Sequence, residues 1–263
     1  MIKKSLEFLI QSHLFLSFSA FVFSQGILKN QPISLYFSLA LAFAVFGIYN
    51  LNRINKLKKN LLLLETGLFY TRNNNLLQFT SIFSILISIS ICLYFLKMNF
   101  VSMSIVSLAG IITASYIFSI KELSVREIPG MKAFWIALVW TSLAIILPKM
   151  IYNSFQWYDL HYFILFLALS IPGDIRDYEK DKSSMKTIPQ ILGIRKAETL
   201  FYSLIVLFLL LNNRNILEIV LIIFIILKLF RSRFYFRHEL MDGLLFILGI
   251  HYLYVWKGFN FSY

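Results

Sequence analysis

The chain holds one cysteine, five prolines and 13 acidic residues among 263. A single cysteine, Cys92, excludes an internal disulfide, and its place inside an apolar run reads as packing. The four histidines, His13, His161, His238 and His251, are scattered, and no two share a metal-ligand spacing such as HExxH. No linker or low-complexity stretch marks off a separate soluble domain. Charge is scarce: 14% of residues are charged, against 59% hydrophobic and 17% aromatic. A water-soluble fold cannot hide that much apolar surface, so part of the solvent must be lipid.

What is present is a succession of long apolar runs. A bilayer needs roughly 20 apolar residues per crossing. The runs predict nine spans, near 6–26, 33–52, 77–97, 99–120, 131–148, 159–173, 198–211, 215–230 and 241–256. The expected fold is an all-α integral membrane protein, a single bundle of about nine transmembrane helices over residues 1–263. The first run starts like a signal peptide, with Lys3 and Lys4 before it, but continues too far and is read as a retained helix.

Charge tests this count. Twenty of the 25 basic residues fall on the side of the N-terminus, and Lys29, Lys97, Lys149, Arg214 and Lys257 fall on the other. The positive-inside rule then places the N-terminus in the cytoplasm and points to a multi-pass protein, expected in a bacterial inner membrane. The net charge of +12 is explained by topology and anionic headgroups, with no nucleic acid as partner. Most cations lie in the loops after spans two, four, six and eight, a rim that suits an anionic substrate such as a diphosphate. A carrier would carry charge at mid-bilayer, yet Asp242 and Glu218 lie near span ends, and no repeat with paired broken helices is present.

One stretch stands out, "DIRDYEKDKSSMKTIPQILG" from Asp174 to Gly193. Four of the acidic residues fall within eight positions there, and Asp174, Asp177 and Asp181 follow an i, i+3, i+7 spacing. On a continuing helix all three share one face, with Glu179 pointing elsewhere. Three carboxylates on one face repel one another unless a cation sits between them, and Mg²⁺ prefers hard oxygen ligands and bridges carboxylates to phosphates. Arg176, Lys182 and Lys186 are close enough in sequence to meet the same anion. A solvated loop of mixed charge is the plainer reading of the spacing alone.

The wording of the stretch resembles the second aspartate motif of the UbiA-type intramembrane prenyltransferases. That motif runs D-x-x-D-x-x-x-D and then T-L-P-x-x-L-G, which Asp174, Asp177, Asp181, Thr187, Pro189, Leu192 and Gly193 meet. The family's nine helices, with aspartate motifs after helices two and six, match the run count. Its loop after helix four is similar to "SYIFSIKELSVREIPGMK", with Tyr116, Lys121, Arg126, Pro129, Gly130 and Lys132. The resemblance implies transfer of a prenyl group from an isoprenoid diphosphate to a hydrophobic acceptor within the lipid bilayer, with Mg²⁺ as cofactor. It implies Asp174, Asp177 and Asp181 as metal ligands, and Asp177, Asp181 and Lys121 as catalytic. Asn50, Arg53, Lys58, Tyr116, Arg126 and Lys186 would bind the diphosphate.

The first motif departs from the family's N-D-x-x-D-x-x-x-D. Asn50 is kept, but Leu51, Ile54 and Lys58 stand at the aspartate positions. A lysine cannot hold Mg²⁺, though it can meet a diphosphate directly as a fixed cation. Two readings follow: a prenyltransferase that uses the second motif with cations replacing the other ion, or a non-catalytic relative that binds an isoprenoid or quinone-like lipid.

Overall fold

A computed structural model describes residues 8–29, 31–32, 34–59, 62, 64–96, 98–118, 128–181, 186–211 and 238–255. Every element among them is helical. In chain order they are α1 (Leu14–Ile27), α2 (Ser34–Lys58), α3 (Leu64–Phe95), α4 (Phe100–Phe118) and α5 (Met131–Thr141). A π segment (Ser142–Ile146), α6 (Leu147–Ile151) and a 3₁₀ turn (Trp157–Leu160) lead into α7 (His161–Arg176). Then come α8 (Tyr178–Asp181), α9 (Ile188–Leu192), α10 (Ile194–Leu211) and α11 (His238–Val255).

Four of the described segments are long and apolar enough to cross a membrane: Ser34–Lys58, Thr66–Phe95, Phe100–Ile117 and Met131–Ile151. Leu76, Phe79, Phe83, Leu86 and Leu93 on α3, and Phe100, Leu108 and Ile111 on α4, stay exposed. Water would make such a surface an association site, whereas hydrocarbon makes it an ordinary solvated face. The protein is therefore an all-helical integral membrane protein. The eighth predicted span, 215–230, lies outside the described residues.

Two predicted boundaries move. The third span was expected from residue 77, but α3 starts at Leu64. The added turns, "LETGLFYTRNNNL", are polar, and hydropathy marks contact with lipid rather than helicity. The sixth was expected to stop at Pro172–Gly173, yet α7 passes through Pro172 to Arg176. Proline removes one N–H from the ladder, a loss that packed membrane helices tolerate because neighbouring groups re-satisfy the freed carbonyl.

The chain forms two compact units. Unit 1 comprises Met1–Ser107, Leu147–Ser154 and Asp242–Tyr263. Its helices touch through small residues. A Cβ on Gly249 would sit 2.5 Å from the Phe23 nitrogen, and one on Gly26 would sit 2.6 Å from the Gly249 carbonyl oxygen. α1 and α11 thus cross backbone against backbone, which in lipid is a main source of association. Serines add bonds between helices: Ser38 donates to Ser24 at 3.0 Å, and Ser88 to the Ala40 carbonyl at 2.8 Å. Lys29 donates to the Leu253 carbonyl at 2.7 Å, covering an open group at the end of α11.

Unit 2 comprises Leu108–Ile146 and Phe155–Met241. Here α7 packs between α5 and α10. Aromatic pairs fill the seams, with Trp140 stacked on Phe166 at 5.5 Å and Phe208 against His161 at 5.3 Å. His161 is held at the head of α7 by a 2.6 Å contact between Nδ1 and the Tyr158 carbonyl.

Candidate functional site

In unit 2 the end of α7, the start of α5 and α9 meet. Pro129–Gly130 turns the chain into α5, and Gly130 adopts φ +75°, where a side chain is strained. Its N–H donates to the Lys186 carbonyl at 2.7 Å. That bond ties "IPGMK" to "KTIPQILG", two segments that lie more than fifty residues apart in sequence. α9 begins with a capping arrangement in which Gln190 Oε1 accepts from the Thr187 N–H at 3.3 Å, with Pro189 in the first turn. Gln190 Nε2 donates to the Tyr178 carbonyl at 3.1 Å, fixing α9 on α8.

Lys132, two residues into α5, reaches Asp174 on α7. Nζ lies 2.6 Å from Oδ1, and the side chains are only 8% and 2% exposed. Burial makes this pair strong and costly to break, since either charge alone would be stranded away from water. Arg176 grips Asp177 through two bonds, Nε to Oδ1 at 2.9 Å and Nη2 to Oδ2 at 2.8 Å. That forked geometry is specific to arginine and carboxylate. Asp177 also ends α7, with φ −87° and ψ 11°, so the helix breaks in the middle of the acidic triad. Glu179 is exposed.

Among the described residues no group of three or more His, Cys, Asp or Glu side chains could hold an ion. Asp174 and Asp177 each hold a cation of the chain itself, so as a donor set they do not fit Mg²⁺. Asp181 closes α8, and its side chain lies outside the described residues, as do Lys121, Arg126 and Lys182. Lys186 is exposed, and Tyr116 is half-buried near the end of α4.

Unit 1 holds the first-motif region, which lies on helix rather than loop because α2 runs on to Lys58. Asn50 is fully buried. Its Nδ2 donates to the Ser12 carbonyl at 2.8 Å and the Phe46 carbonyl at 2.9 Å. The Tyr70 hydroxyl hydrogen is shared between Asn50 Oδ1 at 2.7 Å and the Gln11 carbonyl at 2.9 Å. The Ser12 and Gln11 carbonyls lie at a break before α1, where His13 takes φ 57°. Asn50 closes this knot of backbone and phenol. Ile54 forms a buried apolar cluster with Tyr70 and Leu77, and Leu51 packs against it. Arg53 is half-buried, and Lys58 is exposed as the last residue of α2.

The sequence quoted Lys132 only as one basic residue of its loop. Nothing in a linear reading pairs it with Asp174, because the partners come from separate helices. The Arg176–Asp177 fork joins sequence neighbours, yet a linear reading assigns Arg176 to a shared anion instead.

No family model matches the sequence, and no curated protein matches it. Among solved structures the chain is similar to a UbiA homologue from Archaeoglobus fulgidus, determined bound to GPP and Mg²⁺. The TM-score is 0.57 and the identity 18%, over 97% of this chain and 89% of the other. The fold is therefore UbiA-like.

Proposed function

We propose that this protein binds an isoprenoid diphosphate at the mouth of unit 2 and transfers its prenyl group to a lipophilic or aromatic acceptor. One observation carries the reading. The acidic stretch and the Pro-Gly-x-Lys segment, which resemble separate parts of a prenyltransferase site, are joined by the Gly130–Lys186 bond and the Lys132–Asp174 pair. The likeness of fold to a protein solved with GPP and Mg²⁺ supports it.

In the reaction the allylic C–O bond breaks and diphosphate leaves with the electron pair. The acceptor supplies the pair for the new bond and releases a proton to water. Lys186 supplies positive charge near the leaving group. An aromatic, apolar interior keeps water from the allylic cation. Lys121, Arg126 and Tyr116 belong to the same anion-binding set in this reading, and the cytoplasmic face is the side from which the diphosphate enters. The burial of Leu51 and Ile54 in an apolar cluster favours a second reading, in which the chain holds an isoprenoid without turning it over.

The test is binding of radiolabelled geranyl diphosphate to the purified, detergent-solubilised protein. Lys186→Ala is expected to weaken binding about fivefold, roughly 1 kcal/mol, and Lys149→Ala to leave it unchanged. Equal losses at both positions, or no binding by the parent chain, would reject the reading. Transfer of label into a lipid acceptor separates the enzyme from the silent binder.

A further inference from the structure

Every carboxylate of this chain that the resemblance would give to a divalent ion, and whose side chain is described, is replaced or already neutralised. At the first motif the acidic positions are Leu51, Ile54 and Lys58. The change goes beyond lost ligands: Ile54 is 4% exposed within an apolar cluster, and Leu51 packs on it, so an aspartate there would be buried among carbon. At the second motif Asp174 carries Lys132 at 2.6 Å, and Asp177 carries Arg176 on both oxygens.

A divalent ion would have to displace a buried ammonium from Asp174 and an arginine fork from Asp177. Both displaced cations would then need new partners in a site that already bears positive charge. An ammonium on Asp174 occupies the carboxylate that a metal would use and leaves the pair neutral.

We propose that diphosphate capture by this protein is independent of divalent metal, with Lys132 as the fixed counter-ion of Asp174 and the chain's own cations as the anion's partners. This rests on the proposed diphosphate site. It makes the arrangement of lysine and arginine, rather than of carboxylates, the determinant of binding, and it makes the protein indifferent to chelators.

The test compares equilibrium binding of radiolabelled geranyl diphosphate to the full chain in detergent, once with excess EDTA and once with excess Mg²⁺. The expected dissociation constants agree within about threefold. Lys132→Gln removes the fixed cation and uncovers Asp174, so this variant is expected to bind more weakly in EDTA and to recover in Mg²⁺. Binding by the parent chain that appears only with Mg²⁺ overturns the inference while leaving the diphosphate site in place. Binding in neither buffer overturns both. The parent comparison decides the matter even where Lys132→Gln does not fold.

Discussion

Asn50 offers a sharp test of how the first-motif region works, because its amide is matched to its surroundings atom by atom. Two N–H groups face the Ser12 and Phe46 carbonyls, and one oxygen faces the Tyr70 hydroxyl. Aspartate has the same shape but no N–H. In Asn50→Asp, an oxygen would face two carbonyl oxygens at 2.8 and 2.9 Å in a fully buried position. Proton uptake could mend only one of those contacts. The Ser12 carbonyl would also lose a donor at a break where the helix supplies no obvious replacement.

An unsatisfied buried polar group costs about 1–3 kcal/mol, and at least two are created here, so the expected loss is about 3 kcal/mol. For a chain of this size that lowers the melting temperature by about 6–12 °C. Tyr70→Phe removes only the shared hydroxyl hydrogen, and its expected cost is about 1–2 kcal/mol. Because the two side chains touch, the double variant should cost less than the sum of the singles. Intrinsic-fluorescence melting in detergent reads all three. An Asn50→Asp protein that melts within a degree or two of the parent would refute the network as a stabilising unit. Additive costs would refute the coupling.

The Lys132–Asp174 pair gives a second cycle. Asp174→Asn strands a buried lysine and is expected to cost about 3–5 kcal/mol, whereas Lys132→Met with Asp174→Leu restores much of that loss, as read by the same melting assay. Raising salt should leave the pair's coupling unchanged, since both groups are shielded from screening ions. At the α1–α11 crossing, Gly249→Val places carbon within 2.5–2.7 Å of the Phe23 backbone and should lower the yield of folded, monodisperse protein on size-exclusion chromatography. Gly110→Ala, where a Cβ meets nothing within 4 Å, is the matched control and should behave as the parent.

Much of the fold was legible because lipid writes itself into composition. Runs of Phe, Leu and Ile located α2, α4 and α5 to within a few residues at most ends. Polar helix escaped that signal: the first turns of α3 and the last of α2 read as loop, because a helix leaving the hydrocarbon looks like any surface chain. The acidic stretch advertised itself by spacing, and its neighbourhood with Pro129–Gly130 followed the resemblance. Its ion pairs did not show. A spacing of three and seven tells which side chains share a face only while the helix lasts, and α7 ends at Arg176. The first motif likewise hid its partners. Asn50 sits where the resemblance expects it, yet Ser12 and Tyr70, brought in from other segments, claim its amide.

The length of α3 sets a further condition on the protein. Its 32 residues make a rod of about 48 Å, whereas the hydrocarbon layer is about 30 Å thick. From Leu76 to Phe95 the helix is long enough to fill that layer, and Arg72 with Asn73, Asn74 and Asn75 forms a polar collar just beyond it. The collar resists being drawn into the acyl chains, so it acts as a depth stop, and Tyr70 rides on the turn above it. Lipids of unusual acyl length would therefore be met by tilting α3 rather than by burying the collar.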